Sequence, residues 1–222
     1  MSYQDPEEAT NIWHDEYWPD FRKNVHELLF EGYKEAKCQI QSHHDETDIT
    51  GFIAEAIQKY LESPDSPEWC DRISLHEDPP VPGQRRTGRR RNKPDLIFEA
   101  VGRRPRAKFF FESKRLREQS SHRESYYLGQ EGIQRFLRGA YAKGYPEAGM
   151  IGYVQCDSVD IWNKRLQAAI TADAQNKNEL RLKSLQQKVQ IIKEISQEWT
   201  SSHYRHPGGY ITLFHILFDC CP

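Results

Sequence analysis

Glu112 and Lys114 lie two residues apart at the end of a phenylalanine-rich run, Ala107-Lys108-Phe109-Phe110-Phe111-Glu112. A spacing of two on a strand sends both side chains out of the same face. A second run, Pro94-Asp95-Leu96-Ile97-Phe98-Glu99, reads as a short strand beginning at its proline. Gly102 and Pro105 supply a turn between the two runs, so they form an antiparallel pair. The hairpin brings the start of the first strand beside the end of the second, and Asp95, Glu112 and Lys114 converge at one sheet edge. Two carboxylates in oxygen-rich surroundings make a seat for Mg²⁺ or Mn²⁺. A lysine beside that metal can orient a water or stabilise charge on a phosphate in transit. Together these are the parts of a metal-dependent phosphodiester hydrolase.

The charge distribution points to the same class of substrate. From Arg85 to Arg117 there are thirteen Lys or Arg against three acids, which leaves eighteen basic and thirty acidic residues for the rest of the chain. A basic island on an otherwise acidic protein suggests a polyanion site, with a solvated loop as the plain alternative. The loop 83–93 carries Arg85, Arg86, Arg89, Arg90, Arg91 and Lys93 and is too basic to pack by itself. With the turn 103–108 it is expected to hold a DNA duplex through its phosphates.

The elements that must position these groups are legible from periodicity. Residues 1–40 read as a helical extension, with Trp13, Tyr17, Trp18, Phe21, Val25, Leu28 and Leu29 at spacings of three and four. Asp45, Glu46 and Asp48 precede Ile49, Phe52, Ile53, Ala56, Ile57 and Tyr60, which predicts a helix near 46–62. A third helix is expected over 124–143, and a strand buried on both faces over 148–154. The segment 160–200 reads as mostly helical, broken near Asn176–Asn178. Its second half repeats Leu182, Leu185, Val189, Ile192, Ile195 and Trp199 in near-heptad spacing. That stripe is expected to pack on the protein's own sheet, with a partner coiled coil as the alternative. Tyr210 to Phe218 reads as a last buried strand, on which His215 is a core histidine. The whole chain of 222 residues reads as a single domain.

Other chemistries find little support. The 12% aromatic content argues against a disordered chain, and no apolar run approaches the roughly 20 residues that cross a bilayer. The acidic N-terminus lacks the features of a signal peptide, and five cysteines without a CxxC pair suggest free thiols and a cytoplasmic location. The nine histidines show no HxxxH or HExxH spacing, and no glycine-rich phosphate loop is present.

Pro94-Asp95 followed by Glu112-Ser113-Lys114 resembles the signature of the PD-(D/E)XK nucleases, the restriction-endonuclease-like superfamily. The resemblance spans about 45–155 and implies an α/β fold in which a mixed central sheet is flanked by helices. Its core order is αβββαβ, with the first strand near Ile73–Leu75 and helical extensions at both ends. It further implies that Asp95 and Glu112 bind Mg²⁺ (or Mn²⁺), that Ser113 lends its backbone carbonyl, and that Lys114 positions the attacking water. An acid on the first helix would assist: Glu46 is preferred, with Asp48 and Glu55 as substitutes and ordinary helix-end charge as the plain reading. Gln130 and Arg135 match the helix that faces the site in many members, although either could be a solvent-face residue. Ser201-Ser202-His203-Tyr204-Arg205 resembles a polar stretch of some defence nucleases, but His203 taken alone reads as a surface-loop residue.

The expected function is therefore a metal-dependent DNA endonuclease of bacterial restriction or anti-phage defence. The chain would work alone, as a homodimer, or as a subunit of a defence complex. The alternative is a catalytically inactive nuclease-fold subunit that binds DNA or assembles with partners through its helical segments.

Overall fold

The computed structural model describes residues 17–81, 92–102, 104–117, 126–195, 197–205 and 208–221. Helix α1 (Tyr17–Ala36) buries Phe21, Val25, Leu28 and Leu29, the stripe expected from their spacing. Helix α2 (Glu46–Leu61) starts at Asp45, whose carboxylate accepts from the Thr47 and Asp48 amides; the Asp48 carboxylate accepts from the Asp45 amide in return. The two helices cross tightly at Gly32, where a Cβ would stand 2.3 Å from Ile57 Cγ1 and 2.9 Å from the Ile53 carbonyl oxygen. Only glycine fits that crossing.

Seven strands form one mixed sheet: β1 (Ile73–Glu77), β2 (Leu96–Ala100), β3 (Lys108–Leu116), β4 (Glu147–Val154), β5 (Leu182–Val189), β6 (Glu198–Tyr204) and β7 (Tyr210–Asp219). Their order across the sheet is β1-β2-β3-β4-β7-β6-β5. The pairs β3–β4 and β4–β7 are parallel; the others are antiparallel. The hairpin inferred from sequence is present, with Leu96 opposite Phe111. Strand β4 is central and apolar on both faces, as its composition demands. Its Gly149 leaves the space in which the Phe111 ring lies, since a Cβ there would meet that ring at 2.0 Å.

The alternation of β3 sorts the core into two layers. Phe109 and Phe111 pack with α1 and α2 on one face; Phe110 and Leu116 pack on the other. That second face is covered by α3 (Ile133–Leu137) through Ile133 and Phe136, and by α4 (Val159–Asn176) through Trp162, Leu166 and Ile170. Helix α1 is thus an integral layer of the domain rather than an extension, with Val25, Leu28 and Leu29 fully buried. No helix among the described residues is long and apolar enough to cross a membrane.

Two elements differ from expectation. The helix expected over 124–143 is reduced, among the described residues, to one turn at 126–128 and the short α3. Between them the chain folds back so closely that a Cβ on Gly132 would stand 1.9 Å from the Tyr127 carbonyl oxygen. The larger correction concerns 178–199, expected to be helical. It holds strand β5, an irregular segment, and the start of β6, so among the described residues neither a helical extension nor a coiled-coil face is present there. The reason lies in the register of β5 against β6. Extra residues are inserted between Leu182 and Ser184 and again between Gln186 and Val189. Each bulge shifts the period-two alternation by one residue: the first puts Leu185 on the face of Leu182 three residues on, and the second turns Val189, opposite Glu198, to the other core layer. Partly buried residues at spacings of three and four thereby imitate a helical stripe although they serve the two opposite layers.

Candidate active site

The carboxylates and the lysine of the hairpin converge as their spacing requires. Glu112 and Lys114 leave the same face of β3, both side chains only 3% exposed, with Lys114 Nζ 2.9 Å from Glu112 Oε1. The same ammonium donates to the Ser113 carbonyl oxygen (2.7 Å) and to Glu46 Oε1 (3.3 Å). Glu46 stands in the first turn of α2, so the helix that caps itself with Asp45 and Asp48 brings Glu46 to the site. Asp48 is occupied by that cap. Glu55 lies further along α2 in a groove with Glu62, Leu75 and Glu77. Of the three candidate acids, Glu46 is the one that contacts Lys114.

Asp95 sits just before β2 and is fixed by Ser113: the Ser113 amide and hydroxyl both donate to Asp95 Oδ2, each at 2.6 Å. Ser113 points to the opposite face from Glu112 and Lys114, where Thr50 Oγ1 lies 2.9 Å from both Ser113 Oγ and Tyr153 Oη. The Thr50 hydroxyl also donates to the Glu46 carbonyl oxygen at 2.7 Å. Ser113 therefore does more than offer a carbonyl, because it joins the Asp95 carboxylate to the helix carrying Glu46. Sequence reasoning missed Thr50, although its place one turn after Glu46 was the available signal.

The second flank is built by α3. Arg135 Nη1 lies 3.7 Å from Glu112 Oε1, and its guanidinium is further bonded to Glu131 and Tyr141. The Tyr141 hydroxyl donates to the Lys93 carbonyl oxygen at 2.7 Å, while the Lys93 ammonium lies 3.6 Å from Asp78. Tyr126, which sequence reasoning also missed, places its ring 4.9 Å from Lys114 Nζ. Gln130 is not brought into this cluster; its side chain is taken up by Gln134 and Arg138 at the surface.

The electrostatics of the cluster are those of an acid-rich pocket. Burial, and after it the Asp95 charge, raises the Glu112 carboxyl to about 7 against the opposing pull of Lys114 and Arg135. Burial alone would depress Lys114, yet Glu112, Glu46 and Asp95 together hold it above the usual lysine value. Both groups are thus shifted toward binding protons. Glu112 Oε2 is also buried with no hydrogen-bond partner. A buried carboxylate oxygen without a donor, in a pocket that favours added positive charge, fits a divalent cation. Among the described residues no group of three or more His, Cys, Asp or Glu side chains forms a metal cluster. The groups that could serve as donors are two carboxylates, Asp95 and Glu112, and the Ser113 carbonyl, a sparse set that would suit only a cation keeping several waters, such as Mg²⁺.

The expected polyanion contacts divide into two groups. Arg85, Arg86, Arg89, Arg90 and Arg91 lie outside the described residues. In the turn expected to grip the duplex, Arg106 Nη1 and Lys108 Nζ instead contact Glu99 at 2.6 and 2.7 Å. Burial pushes the Glu99 carboxyl up, but these two partners outweigh it and hold the group below its usual value. This turn closes the far end of the hairpin, about 13 Å along β3 from Glu112 by strand rise. Arg106 and Lys108 neutralise Glu99 and are not poised at the carboxylate cluster.

His203 is not a surface-loop residue but lies fully buried on β6. Its Nδ1 contacts the Leu180 carbonyl oxygen at 2.7 Å, and its Nε2 lies 2.7 Å from Ser201 Oγ. His215 is a core histidine, as expected, bonded through Ser201 and Tyr127 and stacked on Trp199. Set against protein-family models, curated proteins and solved structures, the chain matches none of them.

Proposed function

We propose that this protein is a metal-dependent nuclease that hydrolyses phosphodiester bonds of DNA, with a PD-(D/E)XK site on a sheet of restriction-endonuclease-like type. The observation that carries the reading is the seat of Lys114 Nζ, 2.9 Å from Glu112 and 3.3 Å from Glu46, with Asp95 adding its charge to the same pocket. The element order α2-β1-β2-β3-α3-β4 supports it, being the αβββαβ order that the sequence resemblance implies. A role in restriction or anti-phage defence follows from the same resemblance.

Asp95, Glu112 and the Ser113 carbonyl would hold Mg²⁺ or Mn²⁺, which when bound supplies charge neutralisation and a water of lowered pKa. The chain's own residues prepare that chemistry. Ser113 fixes the Asp95 rotamer through Oδ2 and leaves Oδ1 as a donor. Lys114 keeps its proton in the acidic pocket, and that charge orients the attacking water and opposes the negative charge that builds on the phosphate. Glu46 and Glu112 hold the ammonium in place from two sides. Arg135, braced by Glu131 and Tyr141, adds a second positive charge beside Glu112.

Incubation of the purified protein with plasmid DNA, with and without Mg²⁺, tests the reading. Metal-dependent nicking or linearisation that disappears in Glu112→Gln is expected. Cleavage that persists in EDTA or in that variant overturns the assignment.

A further inference from the structure

We propose that Tyr126 is a positioning residue for Lys114, and that a buried chain running from Tyr127 through His215, Ser201 and His203 to the Leu180 carbonyl holds it there. The proposal rests on the nuclease reading for its consequence in catalysis, but not for the structural coupling itself.

The Lys114 ammonium has three hydrogen-bond partners, Glu112, the Ser113 carbonyl and Glu46. The Tyr126 ring covers a further side at 4.9 Å, within cation–π range. Tyr126 is itself 43% exposed, whereas the lysine side chain beneath it is 3% exposed. The ring is therefore the outer wall of the lysine's seat. Without it the ammonium would gain water, and a long side chain with a hydrated alternative loses its single position.

An exposed tyrosine cannot fix itself. Its neighbour Tyr127 is completely buried, and the Tyr127 hydroxyl lies 3.0 Å from His215 Nδ1. His215 Nε2 lies 2.7 Å from Ser201 Oγ, and Ser201 Oγ lies 2.7 Å from His203 Nε2. The chain ends where His203 Nδ1 meets the Leu180 carbonyl at 2.7 Å. A carbonyl only accepts, so His203 must donate from Nδ1, and a neutral ring then accepts at Nε2. The Ser201 hydroxyl donates to that nitrogen and accepts from His215 Nε2–H. His215 is left with Nδ1 as an acceptor, and the Tyr127 hydroxyl donates to it. Every group finds its partner in one direction only. Four buried polar side chains in a run, all satisfied, specify one geometry at a price in desolvation that apolar packing would avoid. Downstream, the tight return of the chain at Gly132 against the Tyr127 carbonyl pins the same turn from its other side.

The decisive experiment is a double-mutant cycle with two readouts. The first is the ring-current displacement of the Lys114 ε-methylene NMR resonance, identified by its disappearance in Lys114→Arg; it requires no activity. The second is single-turnover cleavage of plasmid DNA with Mg²⁺. Tyr126→Ala should abolish the displacement and slow cleavage by about tenfold, the lower range for groups that orient a catalytic residue. Tyr126→Phe should preserve both. Tyr127→Phe keeps the buried ring and removes only the donor; it should reduce the displacement and the rate, and so should Ser201→Ala. In a Tyr126→Ala background, Tyr127→Phe should slow cleavage no further. A displacement unchanged by Tyr127→Phe overturns the proposal, as do additive effects in the cycle. If the wild-type protein cleaves nothing, the nuclease reading falls while the NMR measurement still decides the coupling.

Discussion

Lys114 Nζ and Glu112 Oε1 lie 2.9 Å apart in a seat where neither side chain is more than 3% exposed, yet this buried pair is not electrically balanced. Burial and the Asp95 charge raise Glu112 to about 7. Lys114 is raised as well, because Glu112, Glu46 and Asp95 outweigh its own burial. Glu112→Gln removes the excess carboxylate while keeping its shape. In EDTA the variant should match or slightly exceed the wild type in thermal stability, because like-charge repulsion is relieved. Its Mg²⁺-dependent cleavage should be abolished. Retained cleavage would remove Glu112 from the metal seat, and unfolding would make it a structural acid.

Asp95 behaves differently, because its carboxylate is also an acceptor for Ser113. Asp95→Ala leaves the Ser113 amide and hydroxyl without that partner and should cost about 1–3 kcal/mol. Asp95→Asn can still accept both bonds through its amide oxygen. It should unfold near the wild-type midpoint in urea and still fail to cleave. Equal destabilisation by Ala and Asn would show that charge, not hydrogen bonding, ties Asp95 to Ser113.

Lys114→Ala separates an enzyme from a DNA-binding module. As a stabiliser of charge in the transition state, Lys114 should contribute at least about a hundredfold to single-turnover cleavage, with little change in equilibrium DNA affinity. The substitution also strips Glu112 of its counter-charge, so stability should fall by roughly 3 kcal/mol and the assay belongs well below the midpoint of unfolding. A change confined to affinity would count against the nuclease reading.

The hairpin, its edge and the acids on it were readable because each rests on local rules: period-two alternation, a Gly/Pro turn and a capped helix. Glu46 could be preferred over Asp48 but not distinguished from it, since the choice is made by a capping box that claims Asp48. The failures share a physical origin in non-local structure. Two bulges interrupt the alternation of β5, and only pairing with β6 reveals them. His203 reads as a loop residue in the polar stretch Ser201-Ser202-His203-Tyr204-Arg205, and only the fold supplies the Leu180 carbonyl and Ser201 hydroxyl that allow it to be buried. Tyr126 carries no pattern at all; its role depends on a lysine twelve residues earlier and a histidine far along the chain.

The basic loop makes a prediction from charge alone. If Arg89, Arg90 and Arg91 touch phosphates without reading bases, neutralising them should weaken DNA binding equally across sequences. The slope of log affinity against log salt should flatten by about 0.9 for each phosphate that is no longer neutralised. An unchanged slope would place Arg89, Arg90 and Arg91 away from DNA and leave Lys93, at the end of the loop, and Arg135 as the nearer candidates.

The buried histidines should make the fold less stable toward acid pH. Burial lowers His203 to about 4, and burial with the neighbouring His203 holds His215 well below the usual histidine value. The folded state therefore keeps both rings neutral where the unfolded chain, titrating near 6.5, takes up protons. Stability from this source is complete above pH 6.5 and is lost as the pH falls toward 4, where His203 alone accounts for roughly 3 kcal/mol. Urea unfolding between pH 7.5 and 4.5 should show this decline. His203→Gln can keep a donor toward the Leu180 carbonyl without a titrating ring, so its stability should be lower at pH 7.5 but less dependent on pH. Parallel pH profiles for the two proteins would show that His203 binds its proton equally in both states, and that carboxylates elsewhere set the acid limit.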